Sequence, residues 1–552
     1  MAWIVYAARY IAWLVGGLRR RLRTPPPYVS FLLESAEPEL PPPPAPRWRR
    51  ILAPPGRNLR QLTEQMRMVG QDARIRGVVL HLRPVDYTPA QVETLAALIL
   101  DVRRAGKRTI CWSTSYNDAT YRLACAADEV LLQPGGTITG LGPARSYTYL
   151  ADALSRIGVS ADFCQVSPYK TAADTLTRTG MSPEAREMAG WLADAELESL
   201  VWAIAGRKGI GNGEARALVD ASPFTDLTAR EAEMVDAVVS EEELPARLGG
   251  EVGTWDRASR SLRRRPPFRP GRRYVGIIRV EGMILDGRSR RPPIRPPLPV
   301  PYLFNSQTGD LTVVQQARRL ARDPRAAAVV LWIDSPGGSA TASEAMHAAL
   351  RRLAARKPLI AAMGSVAASG GYYVATPAQR IFAQQGSVTG SIGVLAGKIV
   401  MGGLLDRLQI GHETVARGEH AAMDMPEEAY TETERAKLRE SVSRMYDLFL
   451  ERVAAGRQRA VSAIEPIAGG RVWTGRQALE HGLVDQAGGL EHALVEARRI
   501  GGLRSDAPVV ELGGEPETPP LTPVAATLEH AGALASALGR TGAWLLCPLI
   551  RS

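Results

Sequence analysis

Cysteine and histidine are scarce in this chain. Its 552 residues include four cysteines and seven histidines. Four cysteines in a chain of this length do not form a disulfide framework, and the sequence has no Cys-x-x-Cys pair or His-Glu-x-x-His motif to bind zinc. We therefore expect buried thiols rather than disulfides, and neither a metal ion nor another cofactor.

Lysine is also scarce, because only six of the 68 basic residues are lysines. A buried lysine can lose its proton, whereas an arginine keeps its charge. Nucleotide composition explains much of such a bias. Since the chain uses arginine wherever either cation would serve, each lysine is nevertheless a candidate for a specific role.

The basic charge is concentrated rather than spread. The net charge of +11 comes from arginine clusters at residues 9–23, 257–273 and 288–295, which hold 17 arginines and no acidic residue. The remainder of the chain is therefore mildly acidic. Proteins that bind nucleic acid carry basic residues over a whole face, so we expect no nucleic-acid partner.

The N-terminal segment, residues 1–26, predicts membrane association. About 17 mostly apolar residues, rich in Trp and Tyr, precede four arginines. The run is short for a membrane span, which needs ~20 residues, and it lacks the basic-first order of a cleavable signal peptide. Its aromatic rings favour the membrane interface. A short span and an interfacial amphipathic helix both stay open, as does the side of the membrane.

An internal repeat is the most informative feature of the sequence. DARIRGVVLHLRP at 72–84 matches DPRAAAVVLWIDS at 323–335, and TYRLACAADEVLLQPGG at 120–136 matches GYYVATPAQRIFAQQGS at 371–387. In each pair the two strings are 251 residues apart, and a constant offset over more than 80 positions makes chance similarity improbable. The chain therefore contains two copies of one domain.

The repeat and the composition together predict the organisation of the chain. Its proposed parts are the membrane-associated segment 1–26, a first repeat 27–256, an Arg/Pro-rich linker 257–273, a second repeat 274–503 and a tail 504–552. A proline-rich stretch at 41–46 predicts a stiff tether. A second one, at 288–300, predicts a flexible insertion.

Each repeat alternates apolar runs with helical patterns. In the second repeat, AVVLWID (328–334) and PLIAAMG (358–364) predict strands, and SEAMHAALRRLAA (343–355) predicts a helix between them. Continuous apolar strands separated by helices indicate a parallel sheet that is covered on both faces. The expected fold class is therefore α/β.

The predicted strands of the second repeat run into glycine-rich turns, where α/β proteins usually place ligand chemistry. In SPGGS (335–339), Gly338 has no side chain, so backbone N–H groups can face a substrate. Ser369 precedes two glycines at a predicted helix N-terminus, where its hydroxyl would be exposed and the N–H of Gly370 could complete an oxyanion hole. Tight turns and helix packing explain the same glycines equally well.

A nucleophilic serine needs a base, and the repeat suggests a lysine. The position equivalent to Ser369 in the first repeat is Asp118, and the position equivalent to Lys170 in the second is Ala421. One copy retains the serine and the other the lysine, as a single shared site predicts. Lys398 and His420 are competing bases, and a solvated surface role for Lys170 is the alternative.

These residues resemble the long form of signal peptide peptidase A, also called protease IV, in peptidase family S49. The matching strings are SPGGSATASEA (335–345), SVAASGGYYVATPA (365–378), VTGSIGV (388–394) and YKTAADTLTRTGMSPEARE (169–187). The resemblance covers about residues 50–500. It implies tandem Clp/crotonase-like domains, built as superhelical α/β repeats. One departure is Asp334, where the family has Asn before SPGG.

The resemblance also implies the roles of the site residues. Ser369 corresponds to the nucleophile, Lys170 to the general base and Ser391 to a residue that orients the lysine amine. The backbone N–H groups of Gly338 and Gly370 correspond to the oxyanion hole. For the lysine to act as a base, burial must lower its pKa from ~10.4 towards neutrality.

The expected function is that of a membrane-associated serine endopeptidase that cleaves signal peptides and other hydrophobic peptides. By resemblance it would sit at the bacterial inner membrane, contact lipid and form a homo-oligomer, as a tetramer. Two alternatives remain: a crotonase-like acyl-CoA enzyme that uses the same oxyanion hole, and an inactive membrane scaffold.

Overall fold

The computed structural model describes residues 2–41, 56–262, 266–290, 306–512 and 543–546. Most of the predicted tether at 41–46, of the insertion at 288–300 and of the tail at 504–552 lies outside the described residues. The structure leaves those three predictions untested.

By packing, the chain forms two compact units. One consists of Met1–Ala144 with Ala193–Arg272, and the other of Arg145–Leu192 with Arg273–Ser552. The segment Arg145–Leu192 lies within the first repeat of the sequence but packs with the second. Lys170 and Ser369 therefore belong to the same unit.

The described residues contain helices and strands in the following order. The strands are β1 Tyr28–Leu33, β2 Gly77–Leu82, β3 Arg108–Tyr116, β4 Glu129–Ile138, β5 Ser160–Gln165, β6 Phe224–Thr225, β7 Ala237–Val238, β8 Val252–Thr254, β9 Tyr274–Leu285, β10 Gln307–Gly309, β11 Ala326–Ser339, β12 Leu359–Ala368, β13 Arg380–Ala383, β14 Val388–Gly390, β15 Leu395–Val400, β16 Val472–Thr474, β17 Gln486–Ala487, β18 Val509–Glu511 and β19 Ala543–Leu546. The helices are α1 Ala2–Arg21, α2 Leu59–Gln71, α3 Pro89–Arg104, α4 Asp118–Ala124, α5 Ala151–Arg156, α6 Asp174–Thr177, α7 Pro183–Lys208, α8 Asn212–Asp220, α9 Asp226–Glu231, α10 Leu244–Leu248, α11 Trp255–Ser259, α12 Asp310–Arg322, α13 Ala340–Ala354, α14 Gly370–Ala375, α15 Gly402–Arg407, α16 Glu432–Arg457, α17 Val461–Ile464, α18 Gly475–Glu480 and α19 Leu490–Ile500.

The sheet of the first unit explains the continuous apolar runs of the sequence. Its strands β8-β1-β2-β3-β4-β7 pair in parallel in that order. In β2, Val78 and Leu80 belong to the core on one face, whereas Val79 belongs to a smaller core on the other. Because successive side chains of a strand point to opposite faces, a strand covered on both faces is apolar at every position.

The second unit repeats this arrangement. Its strands β18-β9-β11-β12-β13-β17 pair in parallel in that order. Each is the counterpart in chain order of one strand of the first sheet. This recurrence agrees with the internal repeat, and the predicted α/β class is confirmed. The Clp/crotonase-like superhelix stays a prediction.

The predicted turn at SPGGS is wrong, because β11 continues through it to Ser339. The pairing of β11 with β9 shifts register between Asp334 and Gly337, and then resumes with Gly337 opposite Met283 and Gly338 opposite Ile284. The two glycines have φ of 105° and 152°, which residues with side chains rarely adopt. They therefore let an extended strand absorb a bulge instead of ending there.

Helix α1 carries the predicted membrane-associated segment. Aromatic side chains pack along it in sequence, with ring centroids 5.7 Å apart for Trp3 and Tyr6 and 5.4 Å apart for Tyr10 and Trp13. Ile4 and Ile11 are exposed. Among the described residues, no helix combines the length and the apolar character needed to cross a membrane.

Candidate active site

Ser369 lies in a sharp bend between β12 and α14. Its backbone has φ 56° and ψ −115°, an unusual conformation for a residue with a side chain. Its N–H donates a 2.8 Å hydrogen bond to the carbonyl oxygen of Gly390, which anchors the bend to β14. Ser369 is completely buried. Strained conformations of this kind occur where a fold holds a reactive side chain in place.

Two glycines after Ser369 make the bend possible. A Cβ atom on Gly371 would lie 2.7 Å from the carbonyl oxygen of Ser335, and one on Gly370 would lie 2.7 Å from the hydroxyl of Ser343. Both distances are too short for non-bonded atoms. Because neither residue has a side chain, α14 can start close against the end of β11.

Lys170 meets Ser369 in the interior of the second unit. Its Nζ atom lies 2.7 Å from Oγ of Ser369. The same Nζ donates to the backbone oxygen and to Oγ of Ser391, both at 3.0 Å. Lys170 and Ser391, like Ser369, are completely buried. The structure thus brings together three residues that are up to 221 positions apart in the sequence.

The segment that carries Lys170 joins the second sheet as a strand. β5 pairs antiparallel with all six residues of β15, from Leu395 opposite Gln165 to Val400 opposite Ser160. The N–H of Val166 then donates to the carbonyl oxygen of Val394 at 3.1 Å. This pairing continues towards the lysine and fixes where its backbone runs.

Two further glycines bring the chain close to Lys170. A Cβ atom on Gly470 would lie 2.7 Å from the backbone nitrogen of Lys170, and one on Gly393 would lie 3.3 Å from its Cδ atom. Next to the lysine, the Tyr169 hydroxyl donates to Glu187 at 2.7 Å, and the Arg471 guanidinium lies 3.9 Å from the centre of the Tyr169 ring. Together these contacts hold the lysine stem on its path to Ser369.

Ser391 is held as firmly as Ser369. Its φ is 50°, and its N–H donates to the carbonyl oxygen of Arg471 at 2.6 Å. Since it follows β14, whose Gly390 anchors Ser369, the two serines are connected through one short strand. Their hydroxyls flank the same amine.

The two glycines expected to form an oxyanion hole lie side by side. A Cβ atom on Gly370 would be 3.3 Å from the backbone nitrogen of Gly338. Gly338 belongs to the bulged end of β11, and Gly370 is the first residue of α14. Backbone N–H groups at a helix N-terminus favour negative charge, so the pair is suited to an oxyanion beside Ser369.

The sequence matches the model of a known family. The model of peptidase family S49 matches residues 101–254 and 351–503, which together are more than half of the chain. The chain belongs to peptidase family S49. This confirms the family resemblance found in the sequence, and the two matched stretches fall in the two predicted repeats.

Proteins from several organisms are similar to this chain over most of its length. The chloroplastic serine protease SPPA of Arabidopsis thaliana is 30% identical over 455 residues, which are 80% of this chain and 66% of the relative. Protease 4 of Salmonella typhi is 28% identical over 468 residues, 81% and 72% of the two chains. Protease 4 of Haemophilus influenzae is 27% identical over 474 residues, which are 80% of this chain and 73% of the relative.

The competing bases lie elsewhere in this family member. Lys398 donates to the carbonyl oxygens of Met423 and Met425 at 2.8 and 2.9 Å, and its Nζ lies 4.4 Å from the centre of the Tyr430 ring. Burial lowers the pKa of Lys398, but its amine is engaged away from Ser369. His420 is partly exposed, with Nε2 3.9 Å from a carboxylate oxygen of Glu419.

The described residues contain no cluster of three or more His, Cys, Asp or Glu side chains that could hold a metal ion. Three cysteines, Cys111, Cys125 and Cys164, are described, and none is in a disulfide. Cys111 is buried, as expected, while the other two are half-buried. The fourth, Cys547, lies outside the described residues.

Sequence reasoning missed Asp334 as part of the site's framework. Its carboxylate accepts the N–H of Val366 at 3.0 Å, across the register shift between β11 and β12. Burial raises the pKa of this side chain to about 7. Gly393 lies in the matching string VTGSIGV (388–394), but its contact with Lys170, like that of Gly470, was missed, because the lysine is more than 200 residues earlier in the chain.

Proposed function

We propose that this protein is a serine endopeptidase in which Ser369 is the nucleophile and Lys170 the general base. The observation that carries the proposal is the 2.7 Å separation of Lys170 Nζ and Ser369 Oγ inside a fully buried site. A base within hydrogen-bond reach of the proton that it removes is the first geometric requirement of nucleophilic catalysis.

The proposed reaction proceeds through an acyl-enzyme. The neutral amine of Lys170 accepts the Ser369 proton as Oγ attacks the peptide carbonyl carbon. The N–H groups of Gly338 and Gly370 stabilise the oxyanion that forms. The ammonium then donates its proton to the leaving amine, and the C–N bond breaks. In the second half, Lys170 removes a proton from water as the water attacks the ester. It then returns that proton to Oγ of Ser369 as the ester C–O bond breaks.

This mechanism requires an unprotonated lysine, and two features favour one. Complete burial disfavours the ammonium form of a lysine relative to the neutral amine. A neutral amine has two N–H groups, which can donate hydrogen bonds to the backbone oxygen and to Oγ of Ser391. Its one lone pair then faces Ser369. Ser391 would thus orient the base.

The proposed substrates are extended hydrophobic peptides, among them cleaved signal peptides. The edge of β11 at Gly337–Ser339, where β19 pairs antiparallel with it, suits an extended peptide that binds by strand addition. The proposal includes association of α1 with a bacterial inner membrane and a homo-oligomer, a tetramer, both based on the family resemblance. The exposed aromatic and aliphatic side chains of α1 support the membrane contact.

The test is labelling with a fluorophosphonate probe, together with cleavage of a hydrophobic peptide. Ser369→Ala should abolish both. Lys170→Met, which keeps the length of the buried stem, should lower the cleavage rate by about 100-fold to 10,000-fold, the usual contribution of a general base. Lys437→Ala, at an exposed lysine of α16, should cleave at the wild-type rate.

Thermal unfolding of each variant verifies that the fold persists. Full activity of Lys170→Met would refute the proposed base. A folded wild-type protein that is neither labelled nor active on peptides would refute the peptidase proposal: turnover of an acyl-CoA would then favour the crotonase-like enzyme, and no turnover the inactive scaffold.

A further inference from the structure

A short segment near the C-terminus lies beside the candidate site. Ala543–Leu546 forms β19, which is separated from β18 by residues outside the described ranges. β19 lies between β11 and β15 and is antiparallel to both. It pairs Leu546 with Gly337, Leu545 with Gly338 and Trp544 with Ser339.

The position of β19 is that of a bound peptide. On its other side, Trp544 pairs with Leu395 and Ala543 with Ala396. Without β19, the edges of β11 and β15 would border a slot one strand wide, because neighbouring strands are ~4.8 Å apart. Gly338, opposite Leu545, lies next to Gly370, and Gly370 follows Ser369. A peptide in this slot therefore passes close to the proposed nucleophile.

We propose that Ala543–Leu546 is an internal ligand of the peptide site, which it occupies in competition with substrates. The inference rests on the proposed function, since it identifies the slot as the substrate site. The sequence Ala-Trp-Leu-Leu has the hydrophobic character proposed for the substrates. The backbone pairs give it the strand-addition mode of peptide recognition.

The connection between β18 and β19 allows the same chain to supply the ligand. About 30 residues separate Leu512 from Ala543, and a tether of that length gives a local concentration on the order of 1 mM. A tethered peptide of modest affinity then competes well with substrates at micromolar concentration. Its effect does not depend on protein concentration, unlike that of a peptide from a second copy.

The experiment measures binding without catalysis, in the Ser369→Ala background, which also prevents cleavage of any peptide held at the site. The probe is a fluorescein-labelled peptide with the sequence of residues 541–552, followed by fluorescence anisotropy under reducing conditions. The full chain is compared with a chain that ends at Leu512, which retains β18. Removal of the tail should tighten probe binding by about tenfold or more.

Two proline variants of the full chain provide the matched comparison. Leu545→Pro removes a backbone N–H from β19 and strains its pairing, so it should bind the probe as tightly as the shortened chain. Leu538→Pro, outside the strand, should bind it as weakly as the full chain. Equal affinities of the full and shortened chains, or no binding by the shortened chain, would overturn the inference.

The outcome is separable from that of the proposed function. If the slot binds peptides but Ser369 is not a nucleophile, the binding difference persists while the fluorophosphonate labelling of the wild type fails. In the active protein, removal of the tail should raise the initial rate at low substrate concentration about tenfold at every protein dilution. A rate advantage that disappears on dilution would show that the tail acts between copies, contrary to the proposal.

Discussion

At the scale of single residues, the candidate site depends as much on missing side chains as on present ones. Gly470 approaches the Lys170 backbone at φ 92°, and a Cβ atom there would lie 2.7 Å from the Lys170 nitrogen. The serine could be predicted from a local signal, the Ser-Gly-Gly string, and the lysine from its rarity together with the comparison of the two repeats. Gly470 could not, because its role arises only from folding.

Gly470→Ala should therefore impair catalysis by moving Lys170. The backbone of the 170 region must shift to admit the methyl group, and small displacements of a catalytic group can cost about 100-fold in rate. Peptide cleavage by the purified variant measures the effect.

Gly502→Ala is the matched control for this variant. Gly502 has φ 60°, and no atom lies within 4 Å of the position that a methyl group would take there. The substitution therefore introduces similar backbone strain away from the site. Equal rates for the two variants would mean that the close approach at Gly470 has no role in placing the lysine.

Asp334 predicts a pH dependence of stability. Its pKa is about 7 in the folded protein and near 3.8 in the unfolded chain. Between pH 3.8 and pH 7, the unfolded chain therefore binds fewer protons at this position than the folded protein does. The contribution of this residue to stability is fully present below about pH 4 and is lost as the pH rises to 7.

Asp334→Asn removes this titration and keeps an oxygen to accept the Val366 N–H. Relative to wild type, its unfolding temperature should therefore rise progressively between pH 4 and pH 7. Asp406→Asn, at an exposed aspartate, should show no such trend. A constant difference between Asp334→Asn and wild type across this range would contradict the raised pKa.

At the scale of elements, the sequence pattern identified strands and helices better than it identified their ends. β11 and β12 were predicted from their apolar runs, but both continue into the glycine-rich stretches expected to be turns. Local sequence patterns indicate which residues are buried, whereas the partner strand determines where the pairing of a strand ends. β19 had no counterpart in the sequence reasoning for the same reason, because only the slot between β11 and β15 makes it a strand.

Helix α1 gives a prediction at this scale. A chain that lacks residues 2–23 should lose sedimentation with vesicles that contain anionic lipid, because it loses the exposed apolar side chains and the arginines that follow them. Substitution of Trp3 and Ile11 by serine, with every arginine kept, should weaken sedimentation at high salt. Undiminished sedimentation of the shortened chain would place the membrane contact elsewhere.

At the scale of the whole molecule, the boundaries of the two sequence repeats differ from those of the two packed units. The repeat was visible because the two copies retain similar strands at a constant offset. The exchange of Arg145–Leu192 into the second unit was not visible, because pairing between β5 and β15 leaves no trace in local composition. The repeat nevertheless led to Lys170, since it compared what each copy retains.

The pairing of β5 with β15 also has a consequence during protein synthesis. The two strands are about 230 residues apart in the chain. At a translation rate of ~5–20 residues per second, Lys170 emerges roughly 10–50 s before the strand that receives its segment. For most of that interval the nascent polypeptide carries the proposed base without the proposed nucleophile, Ser369. On the proposed function, the ribosome-bound chain therefore cannot cleave peptides until most of it has been made.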